Sequence, residues 1–97
     1  NRSCYSAAND FASIMKVMPK ARLFGDRTGG GGGMPVSSEL PCGWSVRFSS
    51  SPTFDADGND IETGVDPDVF VSMTESDTES DPIIEAAREW IGSLIIN

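Results

Sequence analysis

Three groups of residues in this sequence have types and spacings that chemistry can use. Ser6 opens a run whose apolar residues recur at helical intervals, which puts its hydroxyl at a helix N-terminus. There it can cap the helix by accepting from a backbone N–H. It can also lie where unpaired N–H groups and the positive end of the helix dipole stabilise negative charge. By these residues alone, capping is the simpler reading. Asp55-Ala-Asp-Gly-Asn-Asp60, followed by Glu62, offers oxygens at alternate positions, as calcium takes. The EF-hand spacing is not met, because glycine comes fourth in the loop and the twelfth position holds Asp66 in place of the usual glutamate. An Asp-x-Asp-Gly turn between two strands explains the segment more simply, and no metal is expected. The glycine run Gly29 to Gly33 invites a phosphate-loop reading, but no Gly-Lys-Ser/Thr ending or helix pattern follows it. Such backbone is selected where φ is positive or where another chain approaches closely. Cys4 has no neighbours that would activate a thiol nucleophile. The sequence contains no histidine. A serine hydroxyl is a weak nucleophile without a nearby base, so a Ser–His pair cannot be built from this chain alone.

The elements that would position these groups follow from periodicity. Ser3 to Met18 is predicted as a helix, with Phe11, Ile14, Met15 and Met18 on one face and Pro19 as its stop. Asp10 early and Lys16 late agree with the helix dipole. Ala21 to Phe24 has strand length and is closed by Gly25. Met34 to Leu40 and Gly43 to Ser49 flank the turn Pro41-Cys42-Gly43 as two further strands. Trp44, Val46 and Phe48 alternate with polar residues, which predicts one buried face. A turn at Gly64 to Pro67 leads to a strand at Val69 to Met73. An acidic Ser/Thr-rich linker, Thr74 to Asp81, precedes a last helix with Asp81 as N-cap and Pro82 as its first residue. Ile83, Ile84, Ala87, Trp90, Ile91 and Leu94 give that helix an apolar face. Trp44 and Trp90 are both expected in the core.

Composition bounds the rest. Ninety-seven residues make one small domain at most, and the hydrophobic fraction is 38%. A chain of this length buries only about 60–65% of its unfolded surface, which leaves marginal stability. The net charge of −8 argues against nucleic acid, whose phosphates need clustered Lys and Arg. No apolar run approaches the roughly 20 residues of a membrane span, so direct membrane insertion is not expected. Cys4 and Cys42 permit one disulfide without requiring it. With Asn1 first and no targeting signal, the chain reads as a piece of a longer soluble protein.

Four segments in order carry a family resemblance: Cys4-Tyr-Ser-Ala-Ala-Asn-Asp-Phe11, Phe24-Gly-Asp-Arg-Thr-Gly-Gly-Gly-Gly-Gly33, Leu40-Pro-Cys-Gly-Trp-Ser-Val-Arg-Phe48 and Ile61-Glu-Thr-Gly-Val-Asp-Pro-Asp68. Together they resemble the C-terminal-processing (tail-specific) serine peptidases over nearly the whole chain. The resemblance implies an α/β fold of the crotonase/Clp-like superhelix type. Residues 1–97 would form only the C-terminal part of the catalytic domain: helix, strand, Gly-rich loop, strands and C-terminal helix. In that family a Ser-Ala pair opens a helix and the serine is the nucleophile. That makes Ser6 the nucleophile and the N–H of Ala7 an oxyanion donor.

Many members carry a lysine base in a Thr-Phe-Gly-Lys-Gly pattern. Here Thr28-Gly29-Gly30-Gly31 puts glycine at the lysine position, and Lys16 and Lys20 fall elsewhere, which excludes a Ser–Lys dyad. The chain is similar instead to the lysine-less, tricorn-like branch, which uses serine with histidine, a glutamate and a second serine. Glu62 is the matching glutamate, although the spacing differs slightly; otherwise it is a polar residue on an exposed turn. The histidine and a second oxyanion donor would come from upstream. The resemblance thus implies an endopeptidase that cleaves unstructured or C-terminal peptide segments through an acyl-enzyme. The peptide would be added as a strand beside Gly29, Gly30 and Gly31. It further implies no cofactor, a bacterial cell-envelope location, and partners limited to a peptide or protein substrate and the upstream part of the same domain. The alternative is a non-catalytic peptide- or ligand-binding relative of the same fold.

Overall fold

Pro19 has no N–H to donate, and the helix predicted before it closes ahead of it. The computed structural model describes residues 1–73 and 79–96. In it, helix α1 spans Ala7–Lys16, with Ser6 at the N-cap and Val17 at the C-cap. α1 is shorter than the predicted Ser3–Met18 because Tyr5 is extended, forming an isolated parallel bridge with Gly30. Strand β1 is Phe24–Gly25 and pairs in parallel with β4, Val69–Phe70, in the register Phe24↔Val69 and Gly25↔Phe70. β4 is shorter than the predicted Val69–Met73, and β1 keeps only Phe24 of the predicted Ala21–Phe24 and takes in Gly25, which was expected to close it. The Asp68 carboxylate fixes the start of this pairing by accepting from the N–H of Leu23 at 2.8 Å.

β2 (Pro35–Glu39) and β3 (Ser45–Ser49) form the predicted antiparallel hairpin, with Val36 opposite Phe48 and Ser38 opposite Val46. Gly43, at φ 83°, closes its turn by donating to Leu40 O at 2.9 Å. The Asp55 turn leads into a single 3₁₀ turn, Ile61–Thr63, which periodicity does not predict. Asp60 caps it by accepting from the N–H of Glu62 at 2.9 Å. Helix α2, Pro82–Ile96, starts as predicted, with the Asp81 carboxylate accepting from Ile83 and Ile84 at 2.9 and 3.2 Å. Part of the predicted acidic linker, residues 74–78, lies outside the described residues.

Two small contact regions hold these elements. α2 packs on β1, where Trp90 meets Phe24 with ring centroids 5.8 Å apart. α1 packs on the 3₁₀ turn, and this contact contains the buried Ala12, Ile61 and Val65 with Asn9, Ser13 and Thr28.

Here the structure corrects the predicted core. Phe11, Ile14 and Met18 are exposed, and α1 buries its Asn9–Ala12–Ser13 stripe instead. Apart from the bond of Ser49 to Glu62, the hairpin packs on no other element among the described residues, so Trp44, expected in the core, is 75% exposed and its two strands are open on both faces. The physical reason is that no second layer covers these faces among the described residues, and an apolar stripe is buried only where another element covers it. The chain is a plate of 64 × 34 × 14 Å with a radius of gyration of 17.3 Å. A compact domain of this length has a radius near 12.5 Å (about 2.2·N^0.38). The accessible surface, 7230 Å², likewise exceeds the roughly 5,400 Å² expected of a closed monomer of this mass.

Candidate functional site

The first turn of α1 holds the residues singled out in the sequence. Ser6 has φ 57° and ψ −129°, and it is the one non-glycine with positive φ among the described residues. An L-residue in this conformation stores backbone strain of about 1–3 kcal/mol, which the surroundings must impose. Those surroundings are visible. The N–H of Ser6 donates to Gly30 O at 2.8 Å, and Gly29 N donates to Cys4 O at 2.8 Å. Extended chain is thereby pinned to the glycine run immediately before the helix begins. Ser6 makes no side-chain capping bond, so the simpler sequence reading of it as a helix cap does not hold. Among the described residues the N–H of Ala7 has no hydrogen-bond partner. A hydroxyl free of capping therefore stands beside a free helix N–H.

The glycine run is shaped by close approach, and each position has its own reason. A Cβ on Gly30 (φ 83°) would overlap the carbonyl oxygen of Glu62, and one on Gly29 would overlap that of Arg2. Gly31 is open by contrast, and a Cβ there would lie 3.6 Å from Ser6 N. A side chain at position 31 would therefore adjoin Ser6. Gly31 N donates to Glu62 O at 2.9 Å, tying the run to the 3₁₀ turn. The Glu62 carboxylate accepts from Gly33 N at 2.8 Å and from Ser49 Oγ at 3.1 Å.

Ser6, Ala7 and Gly31 line one cleft of about 310 Å³, with Asp10, Gly33, Ser51 and Thr53 also on its walls. Gly29 and Gly30 lie outside that lining. Glu62 borders an adjoining depression with Ser49 and Asp60, and Ser51 is common to both. Sequence reasoning missed the side chains that hold these parts together. Fully buried Asn9 donates from Nδ2 to Ile61 O at 3.0 Å and accepts from Thr28 Oγ1. Thr28 Oγ1 also accepts from the N–H of Val65 at 2.6 Å. Arg27 donates to Thr63 O at 3.0 Å and pairs with Asp66 at 3.2 Å. Asn9, Ala12 and Ser13 recur at i, i+3 and i+4, and that small polar stripe was the available signal.

A family model of peptidase family S41 matches residues 1–71. The chain belongs to peptidase family S41. The resemblance read from the four segments therefore holds at the level of the family. Among solved structures, a candidate peptidase from Parabacteroides merdae superposes with a TM-score of 0.86 at 50% identity. That match covers 94% of this chain and 30% of the other. Mature CPAF in complex with lactacystin gives a TM-score of 0.71 at 24% identity, over 97% of this chain and 18% of that one. Mature CPAF alone gives 0.70 with the same coverage. The chain thus spans about a third or less of the S41-like structures it matches, and it shares with them a mixed helix–strand fold. No curated protein matches it.

Proposed function

We propose that this chain supplies the nucleophile of a serine endopeptidase. The observation that carries the reading is Ser6 itself, strained, uncapped and placed between an extended residue and a helix N-terminus. A serine held on a sharp strand-to-helix turn projects its Oγ away from the backbone, the device used at nucleophile elbows. In the reaction, Ser6 Oγ attacks the scissile carbonyl carbon while its proton passes to a base contributed by upstream sequence. The N–H of Ala7 donates to the oxygen that becomes negative, and loss of one such donor costs about 2.7–4 kcal/mol of barrier lowering. The amine then leaves with a proton from the base, and water releases the acyl group from Ser6.

Glu62 has the part of an orienting carboxylate. Its oxygens face Gly33 N and Ser49 Oγ, so it holds the glycine run and β3 in place beside Ser6. Peptide docking as a strand beside Gly31, a C-terminal or unstructured peptide as substrate, and a crotonase/Clp-like superhelix completed upstream all rest on the family resemblance. So does export to the bacterial cell envelope. No helix among the described residues is long and apolar enough to cross a membrane.

The test is reaction of the full-length protein with a fluorophosphonate serine probe, comparing wild type with Ser6→Ala. Labelling that vanishes in the variant is the expected result. Absence of labelling in folded wild type would replace this reading with a non-catalytic peptide- or ligand-binding relative.

A further inference from the structure

Asp10 lies one helical turn beyond Ser6 and lines the same cleft. Its N–H donates to Ser6 O at 3.1 Å, which sets the carboxylate's position relative to the nucleophile. Five carboxylates among the described residues are half-buried: Asp10, Asp26, Asp55, Glu62 and Asp81. Four of them have donors. Asp26 accepts from Arg27 N, Asp55 from Asn59, Glu62 from Gly33 N and Ser49, and Asp81 from Ile83 N. Asp10 has none among the described residues, and its Oδ1 is wholly buried without a partner. The dipole of α1 favours a negative charge here. It supplies no donor, however, and an orphaned buried carboxylate oxygen costs more than that gain.

The rest of the cleft indicates what arrives. Ala7, Met34 and Pro35 give it apolar wall, Ser51 and Thr53 add hydroxyls, and neither Lys nor Arg lines it. Apolar wall with a carboxylate at one place suits a side chain with a hydrocarbon stem and a cationic tip. The chain's net charge of −8 favours approach of the same class of group. We propose that this cleft is a specificity subsite for a lysine or arginine side chain of the substrate peptide, with Asp10 as its counter-ion. The assignment rests on Ser6 being the nucleophile.

The experiment uses the full-length protein and paired fluorogenic peptides that differ only in Lys, Arg or norleucine, scanned through positions on either side of the scissile bond. Wild type is expected to prefer Lys or Arg at one position, with added salt eroding that preference. In Asp10→Asn the Lys-to-norleucine ratio of kcat/KM is expected to collapse by about 10- to 100-fold, the range for a lost hydrogen bond to a charged group. Asp10→Glu, which retains the charge, is expected to keep the sign of the preference. A wild type indifferent to the cation, or an Asn variant with an unchanged ratio, overturns the proposal. So does an equal loss on all three peptides, which would make Asp10 part of the catalytic step. If Asp10→Asn does not fold, the wild-type preference and its salt dependence decide. Wild type that no fluorophosphonate labels brings down the nucleophile assignment, and this one with it. Wild type that labels but lacks the preference brings down this one alone.

Discussion

Thr28 satisfies a donor and an acceptor with one hydroxyl, giving to Asn9 Oδ1 and receiving from Val65 N, at a site where it is only 5% exposed. Thr28→Val keeps the shape but orphans both partners, each at about 1–3 kcal/mol. The expected loss, read by urea unfolding of the full-length protein, is about 2–4 kcal/mol, and Thr28→Ser should recover most of it. The glycines give a sharper contrast. Gly30→Ala should prevent folding, because its methyl has no space beside Glu62 O. Gly31→Ala has room and bears mainly the positive-φ penalty, about 1–2 kcal/mol, visible as a modest fall in Tm. Ser6 sits in a conformation that glycine adopts freely, so Ser6→Gly should raise Tm while abolishing probe labelling.

At the scale of elements, local chemistry was legible and tertiary placement was not. The Asp81–Pro82 helix start, the hairpin about Gly43 and the Pro19 stop were readable because each is set by residues within a few positions. The Ile61–Thr63 turn was not. It is held by Asn9, Arg27 and Gly31, all distant in sequence. Ser6 and Gly31 were singled out through resemblance and share one cleft, whereas Asp10 and Asn9 needed the packed structure to show one without a partner and the other buried with two. The Asp55 turn offers a pH test. The side-chain bond from Asn59, and then its backbone N–H, lower the Asp55 pKa from the ordinary value of 3.8. A lowered folded pKa stabilises the turn above the unfolded value and is lost as pH falls through the folded one. Amide exchange at Asp57 and Asn59 should therefore quicken only below about pH 3.8, with neutral pH unaffected. Asn59→Ala should move the Asp55 titration, followed by NMR, upward.

The whole chain is a layer 14 Å thick, with Trp44, Phe48, Phe11 and Ile14 facing outward. Periodicity identified these residues as core-forming, and it had no means of showing that no element among the described residues covers them. Expressed alone, the chain should bind a hydrophobic dye and show the red-shifted emission of a solvated Trp44; in the full-length protein both signals should fall. An isolated piece that binds no dye would mean its apolar faces close on themselves. The polar ties around Ser6, from Asn9 to Arg27, are nevertheless all internal to this layer. The geometry around Ser6 is thus set within one segment. That self-containment invites division of the gene into two polypeptides. Under the proposed function each half would be silent by itself, and hydrolysis would report that they had found one another.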